Sequence, residues 1–542
     1  MKQNQHHGAS TDQRDQASQG YATARAGPDR TSWLDYALIA FFLLALILPA
    51  VLLRPDPEAA AAEKRTLAPA PTLPRSLDDL VTFPRSFDAW FADHFGFRQA
   101  LIKAHSRISF FVLRTSPSPK VVLGRDGFIF LKGTPEADGD PIADFRGTVP
   151  LTPFELERWR WQLEDQHAWL RDQGIAFIFA VIPGKEQMNA PFMPRGYEQV
   201  GPGAYDQFVA HIAPRATYPF VDLRPAIQAA GAQAIIYRKT DTHWNDTGAW
   251  AGIFALTDRL RVAFPAIPKI TPDDLVFHVT GYHEGDMGNM IGLPGETFEP
   301  LVEIRRAASP VITTPLTDSP LGDVITTVND DSLPRAVIFH DSFGHYLKPL
   351  LGEYFRWLRF RWSNAGIDRS IVVKSQPELV IHLMAERRIR MGQRYEMAVQ
   401  QHGNRDRFER APPSGMRWDA TSGFDGITTP DGVTGTPTTD GLLLESSTRG
   451  VGFILPPIEA AATHLPVIRI SCTMEKNDEL ALSWTNATRT VSGEIKGPVP
   501  AGRNIVYLPL LDPEATGPIH VDLVRRSGRI IVHAIDVRLI PR

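Results

Sequence analysis

Four short stretches of the chain are apolar at nearly every position: IAFIFAVI (175–182), PFVDL (219–223), AVIF (336–339) and LVIHLM (379–384). A run apolar on both faces suits a central strand of a parallel sheet that is covered on both sides. Helical patterns lie between these runs. Thr152-Pro153-Phe154-Glu155 is a capping box with proline at the first helical position. Leu156, Trp159, Leu163 and Leu170 then recur near helical spacing, and Gly174 ends the pattern. Further helices are expected within 246–263 and 343–359. Alternating strands and helices from Phe83 to about Gln401 predict an α/β domain, a parallel sheet with helices on both faces. Sites in such sheets form at the carboxyl ends of strands.

The pattern changes after Ala411-Pro412-Pro413-Ser414-Gly415, which reads as a linker. Ile468, Ile470 and Cys472 alternate with Arg469 and Ser471, and Ile519, Val521 and Leu523 alternate with His520 and Asp522. Arg525 to Arg529 reads as a hairpin connection into IIVHAIDVRLI (530–540). Short period-2 strands separated by turn signals predict a C-terminal antiparallel β-sandwich over 416–542.

The N-terminal part has neither pattern. Residues 1–32 are polar and poor in large apolar side chains, which predicts a disordered tail. Tyr36–Leu53 then runs 18 residues without a charge. A bilayer takes about 20 apolar residues, and a cleavable signal core only about 7–15, so a single uncleaved transmembrane anchor is expected over 36–53. Lys2, Arg14, Arg25 and Arg30 on one side and Arg54, Lys64 and Arg65 on the other leave its orientation open. Residues 54–82 begin as an Ala/Pro-rich spacer.

Composition narrows the function classes. Lys+Arg 57 against Asp+Glu 61 gives a net charge of −4, which argues against a nucleic-acid binder working through a basic face. The chain has 1 cysteine, Cys472, so no intrachain disulfide and no cysteine-based zinc site is possible. His283 and Glu284 suggest a metal site only until a third ligand is sought at a credible spacing, so no metal or other cofactor is expected.

Two segments carry candidate chemistry. AVIFHDSFGHYL (336–347) ends a buried strand at His340-Asp341-Ser342 and opens a helix, which places the Ser342 hydroxyl at the carboxyl edge of the sheet near helix amides suited to an oxyanion. The competing reading is that Asp341 or Ser342 caps that helix. In Lys239-Thr240-Asp241-Thr242-His243-Trp244-Asn245, Asp241 and His243 are two apart and project to one side of an extended segment. The carboxylate then fixes the imidazole tautomer and leaves the other ring nitrogen to take a proton from a serine. Asn245 is placed to cap the helix from Asp246. A serine needs a base and the base needs an orienting acid; both segments fall at loop positions of one domain.

Asp-Thr-His-Trp (241–244), followed about a hundred residues later by His-Asp-Ser-Phe-Gly (340–344), resembles the alginate O-acetyltransferase family (AlgJ/AlgX-like), relatives of the SGNH hydrolases with permuted motif order. GYHEGDMGNMIGLP (281–294), FADHFGFR (91–98) and GRDGFIFL (124–131) are similar to further signatures of that family. Under the resemblance, which covers residues 83–401, Ser342 matches the nucleophile, His243 the base and Asp241 the orienting acid of an SGNH-like fold. His340 departs from the pattern, where glycine more often precedes Asp-Ser. The family implies an exported O-acetyltransferase domain, and the expected N-terminal anchor fits a periplasmic catalytic domain held at the inner membrane. Its implied acceptor is a secreted polysaccharide, and its implied acetyl supplier a multi-spanning membrane acyltransferase. A carbohydrate acetyl esterase and a non-catalytic polysaccharide-binding scaffold are the alternatives.

The remaining candidates each stand against a plainer reading. Gly288 and Asn289 are either oxyanion donors or a structural turn. Lys185, at the end of the 175–182 strand, meets an anionic sugar or is solvated. His345 and Tyr346 follow the serine and line the site or do not. Glu386 and Arg387 read as a structural ion pair, and Trp418 and Trp484 as core aromatics rather than sugar-stacking platforms.

Overall fold

The computed structural model describes residues 32–541 except 54, 56, 58–65, 134–138, 318–321, 365, 392–396, 448–449, 461–462, 486–490, 513–514 and 525–526. The expected tail lies outside the described residues but for Ser32, as do most of 54–65 and Arg525-Arg526. The chain divides into two units, Met1–Ala104 and His105–Arg542.

In the first unit, helix α1 (Trp33–Val51) opens on a capping box of Ser32 and Asp35, and α2 (Leu77–His94) on one of Ser76 and Asp79. Helix α1 covers most of the stretch 36–53 in which an anchor was expected. The helix begins earlier, takes an acidic residue into its first turn and stops at Val51, leaving Leu52 and Leu53 outside. Among the described residues, no helix is long and apolar enough to cross a membrane. Trp33, Leu38, Phe41, Phe42 and Leu44 of α1 are all exposed.

In the second unit, helix α3 (Pro153–Arg171) starts at the expected capping box, with Glu155 N–H donating to Thr152 Oγ1 (3.2 Å) and Thr152 N–H to Glu155 Oε2 (2.7 Å). Gly174 follows with φ 73°. Between Ala176 and Ala385 the strands are β1 (Ala176–Ile182), β2 (Phe220–Asp222), β3 (Leu275–Glu284), β4 (Phe298–Arg306), β5 (Ile312–Pro315), β6 (Val324–Thr327), β7 (Arg335–His340), β8 (Trp357–Trp362) and β9 (Leu379–Ala385). Seven of them form one sheet in the order β2-β1-β9-β7-β8-β6-β5. The pairs from β2 to β8 are parallel, and β6 and β5 extend the sheet antiparallel.

The central strands bury both faces. Ile178, Ala180 and Ile182 of β1 pack with Trp244 and Trp250, whereas Phe177, Phe179 and Val181 pack with Trp159, Leu163 and Phe208. Helix α4 (Asp246–Leu260) covers the first face and α3 the second. Asn245 caps α4 as expected, its Oδ1 accepting from Gly248 N–H at 3.1 Å.

The structure departs from the sequence reading at several elements. The single helix expected over 343–359 is broken into short turns at Pro349 and Gly352, and its last part is β8, in which Leu358 and Phe360 turn inward at period 2. Strands β3 and β4 form an unpredicted antiparallel hairpin. The stretch 411–415 is no loose connection. Ala411 is buried in the sandwich core, and Ser414 Oγ donates to Val537 C=O. Helix α5 (Met397–Arg410) contributes Phe408 to the same core.

The C-terminal region is antiparallel throughout. One sheet pairs Thr434–Thr438, Gly441–Ser446, Gly528–Pro541, His464–Met474 and Gly502–Pro509 in that order, and a second pairs Val451–Leu455, Ile519–Val524, Asp478–Thr485 and Val491–Val499. Their apolar side chains meet in one core. Trp484 is fully buried there, with its indole N–H on Asp512 Oδ2 at 2.9 Å, and Trp418 packs at the margin.

Candidate active site

The carboxyl ends of β1, β7 and β9 gather the candidate residues. At the end of β7, Asp341 makes the sharp turn. Its Oδ1 accepts from Phe343 N–H (3.0 Å) and its Oδ2 from Ala385 N–H at the end of β9 (2.7 Å). Asp341 is therefore the helix cap, and Ser342 is released from that duty to stand half-buried at the sheet edge. His340, where the family pattern more often has glycine, is buried with Nδ1 at 2.7 Å from Asp341 C=O. Burial pushes its imidazole down to about 4, so it is neutral at pH 7. The residue that must be small here is Gly344, since a Cβ there would stand 2.2 Å from His340 Cγ.

The Asp-x-His pair forms as the extended geometry predicts. His243 Nδ1 lies 2.7 Å from Asp241 Oδ1, and the His243 backbone N–H donates to the same oxygen at 2.9 Å. A carboxylate only accepts, so a ring proton sits on Nδ1, and in the neutral imidazole Nε2 is then the nitrogen with the lone pair. That Nε2 is buried and has no hydrogen-bond partner among the described residues. Burial alone would raise the Asp241 carboxyl, but hydrogen bonds from His243 and His283 outweigh it and hold the group well below the usual carboxylate range. The His243 ring centroid lies 4.8 Å from that of Phe343, the residue after Ser342, and 5.2 Å from that of Tyr346. The structure thus brings the Asp-Thr-His-Trp loop onto the serine turn. Ser342 Oγ itself meets Arg387, whose Nη2 donates to it at 3.2 Å.

Arg387 is the residue the sequence reading misassigned. It does not pair with Glu386. Glu386 Oε2 turns the other way to accept from Gly184 N–H at 2.6 Å. The usable signal was position: Arg387 is the second residue past a buried strand, at the edge where sites form. A narrow cleft opens beside it, lined by Thr242, Phe343, Gly184, Glu186 and Glu386 among others. Burial raises both glutamates, Glu386 to about 8.

Several other candidates are placed differently from expectation. Lys185 neither faces a sugar nor is solvated. Its buried Nζ donates to the carbonyls of Ile129 (2.6 Å), Lys239 (2.9 Å) and Asp241 (2.9 Å). All three N–H groups are used, and burial lowers the ammonium to about 8. Its work is to hold the 239–241 loop. Gly288 N–H already donates to Gly285 C=O at 3.1 Å, so it is no oxyanion donor; a Cβ at Gly288 would come 2.1 Å from Thr297 Oγ1. Asn289 is exposed on the same turn. His345 is exposed, 3.1 Å from Lys348 Nζ. Tyr346 does line the site, and burial raises its hydroxyl.

Asp241, His243 and Asp286 lie close enough for one atom from each to approach a common cation. The Asp241–His243 contact is however a hydrogen bond, whose proton occupies the nitrogen a metal would need. The donor set is that of an oriented imidazole rather than of a metal centre.

Residues 148–328 match a family described as SGNH hydrolase-like domain, acetyltransferase AlgX. The matched stretch includes Asp241 and His243 and stops before Ser342. No curated protein matches the chain. Among solved structures, the O-acetyltransferase domain of Pseudomonas putida AlgJ is 17% identical with a TM-score of 0.37, covering 53% of this chain and 99% of that one. Pseudomonas aeruginosa AlgX is 13% identical with a TM-score of 0.36, covering 78% and 94%. Bacillus cereus PatB1 is 16% identical with a TM-score of 0.36, covering 44% and 91%. Over residues 148–328, the chain is similar to the SGNH hydrolase-like acetyltransferase family that its Asp-Thr-His-Trp and His-Asp-Ser-Phe-Gly motifs resemble.

Proposed function

We propose that the chain is an O-acetyltransferase that moves acetyl through Ser342, His243 and Asp241 onto hydroxyls of a secreted, alginate-like polysaccharide. The observation that carries the reading is the buried, unpartnered His243 Nε2, aimed by a 2.7 Å contact to Asp241 and packed against the turn that bears Ser342. The Ser342 hydroxyl itself accepts from Arg387 Nη2 at 3.2 Å.

His243 Nε2 takes the Ser342 proton as Oγ attacks the acetyl carbonyl of a donor. The donor's oxygen leaves with that proton, and acetyl-Ser342 remains. A sugar hydroxyl then gives its proton to His243 and attacks the acetyl carbon, and Ser342 departs as the alcohol, reprotonated by His243. Arg387 stabilises the oxyanion in place of the Phe343 and Gly344 amides. The Phe343 and Gly344 N–H groups are already engaged with Asp341, whereas the guanidinium sits at the serine oxygen. On this reading the protein works on the periplasmic face of the inner membrane, with a multi-spanning membrane acyltransferase as acetyl supplier.

The test supplies a soluble activated acetyl ester with and without acceptor oligosaccharide. Acetyl on Ser342 by mass spectrometry, and acetylated oligosaccharide, are the expected results. Ester consumed while the oligosaccharide never gains acetyl would replace transfer by hydrolysis. Unchanged acetylation by S342A would remove the serine mechanism altogether.

A further inference from the structure

Asp241 is held by two imidazoles, and the second comes from the hairpin that the sequence pattern did not announce. Its side chain is 4% exposed, and each oxygen has its own donors. Oδ1 takes the backbone and ring N–H groups of His243. Oδ2 takes His283 Nε2–H at 2.8 Å and Asp286 N–H at 3.3 Å. The torsion that sets a carboxylate plane is broad, so donors on Oδ1 alone leave the plane free to swing. Of the two donors on Oδ2, His283 at 2.8 Å holds the plane more tightly than Asp286 N–H at 3.3 Å, and with it the line along which Oδ1 receives His243.

The backbone of β3 is built to deliver that donor. The register with β4 shifts between Val279 and Gly281, a bulge that inserts one residue and reverses the alternation. After it, Tyr282 and Glu284 face away, exposed, and His283 faces inward opposite Glu299. Glu299 in turn accepts from Lys239 N–H (2.8 Å), Thr240 N–H (3.0 Å) and Thr240 Oγ1 (2.8 Å). One rung of the hairpin therefore grips three successive residues, 239, 240 and 241.

We propose that His283 is a positioning residue of the acyl transfer, holding the Asp241 carboxylate in the plane that aims His243 at Ser342. This rests on the reading of those three residues as the reacting group. Two variants of the full chain test it with the activated acetyl ester. H283L keeps the bulk and loses the donor, and H283Q keeps an N–H near the place of Nε2. H283L is expected to lower kcat about tenfold with KM little changed, the scale of losing an outer-shell partner that orients a metal-ligating histidine, and H283Q to recover most of it. The downfield proton signal of the His243–Asp241 bond should shift or broaden in H283L and return in H283Q. Wild-type kcat and an unmoved signal in H283L would overturn the proposal. So would equal losses in both variants accompanied by a lowered melting temperature, which mark a merely structural histidine. S342A run beside them separates the two readings. An inactive S342A with a fully active H283L sinks His283 alone, whereas a fully active S342A sinks the serine mechanism.

Discussion

Leu444, Phe453, Ile470, Leu482 and Val521 are fully buried in the sandwich, and the core they share is almost wholly apolar. At the carboxyl edge of the seven-stranded sheet, positions of similar burial hold Lys185, Glu186, Asp241, Asp341 and Glu386. Removing ionisable groups from water is costly, and apolar replacements of similar volume are often as stable or more so. The sandwich is packed for stability. The sheet edge gives some up, and what it holds in return is a set of directed hydrogen bonds around one histidine and one serine. Even Lys185, the most unfavourable of the buried charges by residue type, is spent on fixing the backbone under Asp241.

That contrast predicts mutations that separate activity from stability. The largest effect is expected from S342A, which should reduce acetyl transfer by about a thousandfold or more and leave the melting temperature unchanged; a comparable fall in both would mean that the serine turn is structural. R387M should lower kcat by about a hundredfold, the scale of losing one oxyanion donor, with KM nearly constant in the same ester assay. In the sandwich the signs reverse. L482A removes a fully buried side chain and should cost about 2–5 kcal/mol in denaturant melts, while the kcat of the folded fraction stays at the wild-type value.

The smallest effect sharpens the comparison through pH. Burial lifts Glu386 to about 8, above the roughly 4.3 of an unfolded chain. Between those values the folded protein keeps a proton that the unfolded chain has released, so the group's stabilising contribution is lost as pH rises through that window. E386Q keeps an acceptor for Gly184 N–H and cannot ionise. Its melting temperature should match wild type near the low end of the window and exceed it by several degrees above the high end. A gain independent of pH would show that Glu386 is ionised throughout.

Much of the fold was legible because its signals are local. A strand buried on both faces must be apolar at every position, and 175–182, 336–339 and 379–384 are found within a residue or two of β1, β7 and β9. Thr152-Pro153-Phe154-Glu155 and Asn245 announce their helices by hydrogen bonds spanning three residues. Strand β8 was hidden because its alternate positions are Arg359 and Arg361, and Arg361 is met by Asp323 from a distant segment at 2.8 Å. The β3–β4 hairpin exposes Phe277, Val279 and Tyr282, so it shows neither clean alternation nor a continuous apolar run.

By itself the sequence determined the sheet's central strands, the sandwich's alternation, and the pairing of Asp241 with His243, since each is set by side chains within a few residues of one another. Only the tertiary structure decided that Arg387 reaches the serine, that Lys185 turns inward onto three carbonyls, that Gly288 has no N–H to offer, and that His283 shares Asp241. Each of these depends on which carbonyl, carboxylate or hydroxyl lies within about 3 Å of a long or rotatable polar side chain, and those neighbours lie 40 or more residues away along the chain, or in the case of Gly288 belong to a turn whose conformation the fold imposes.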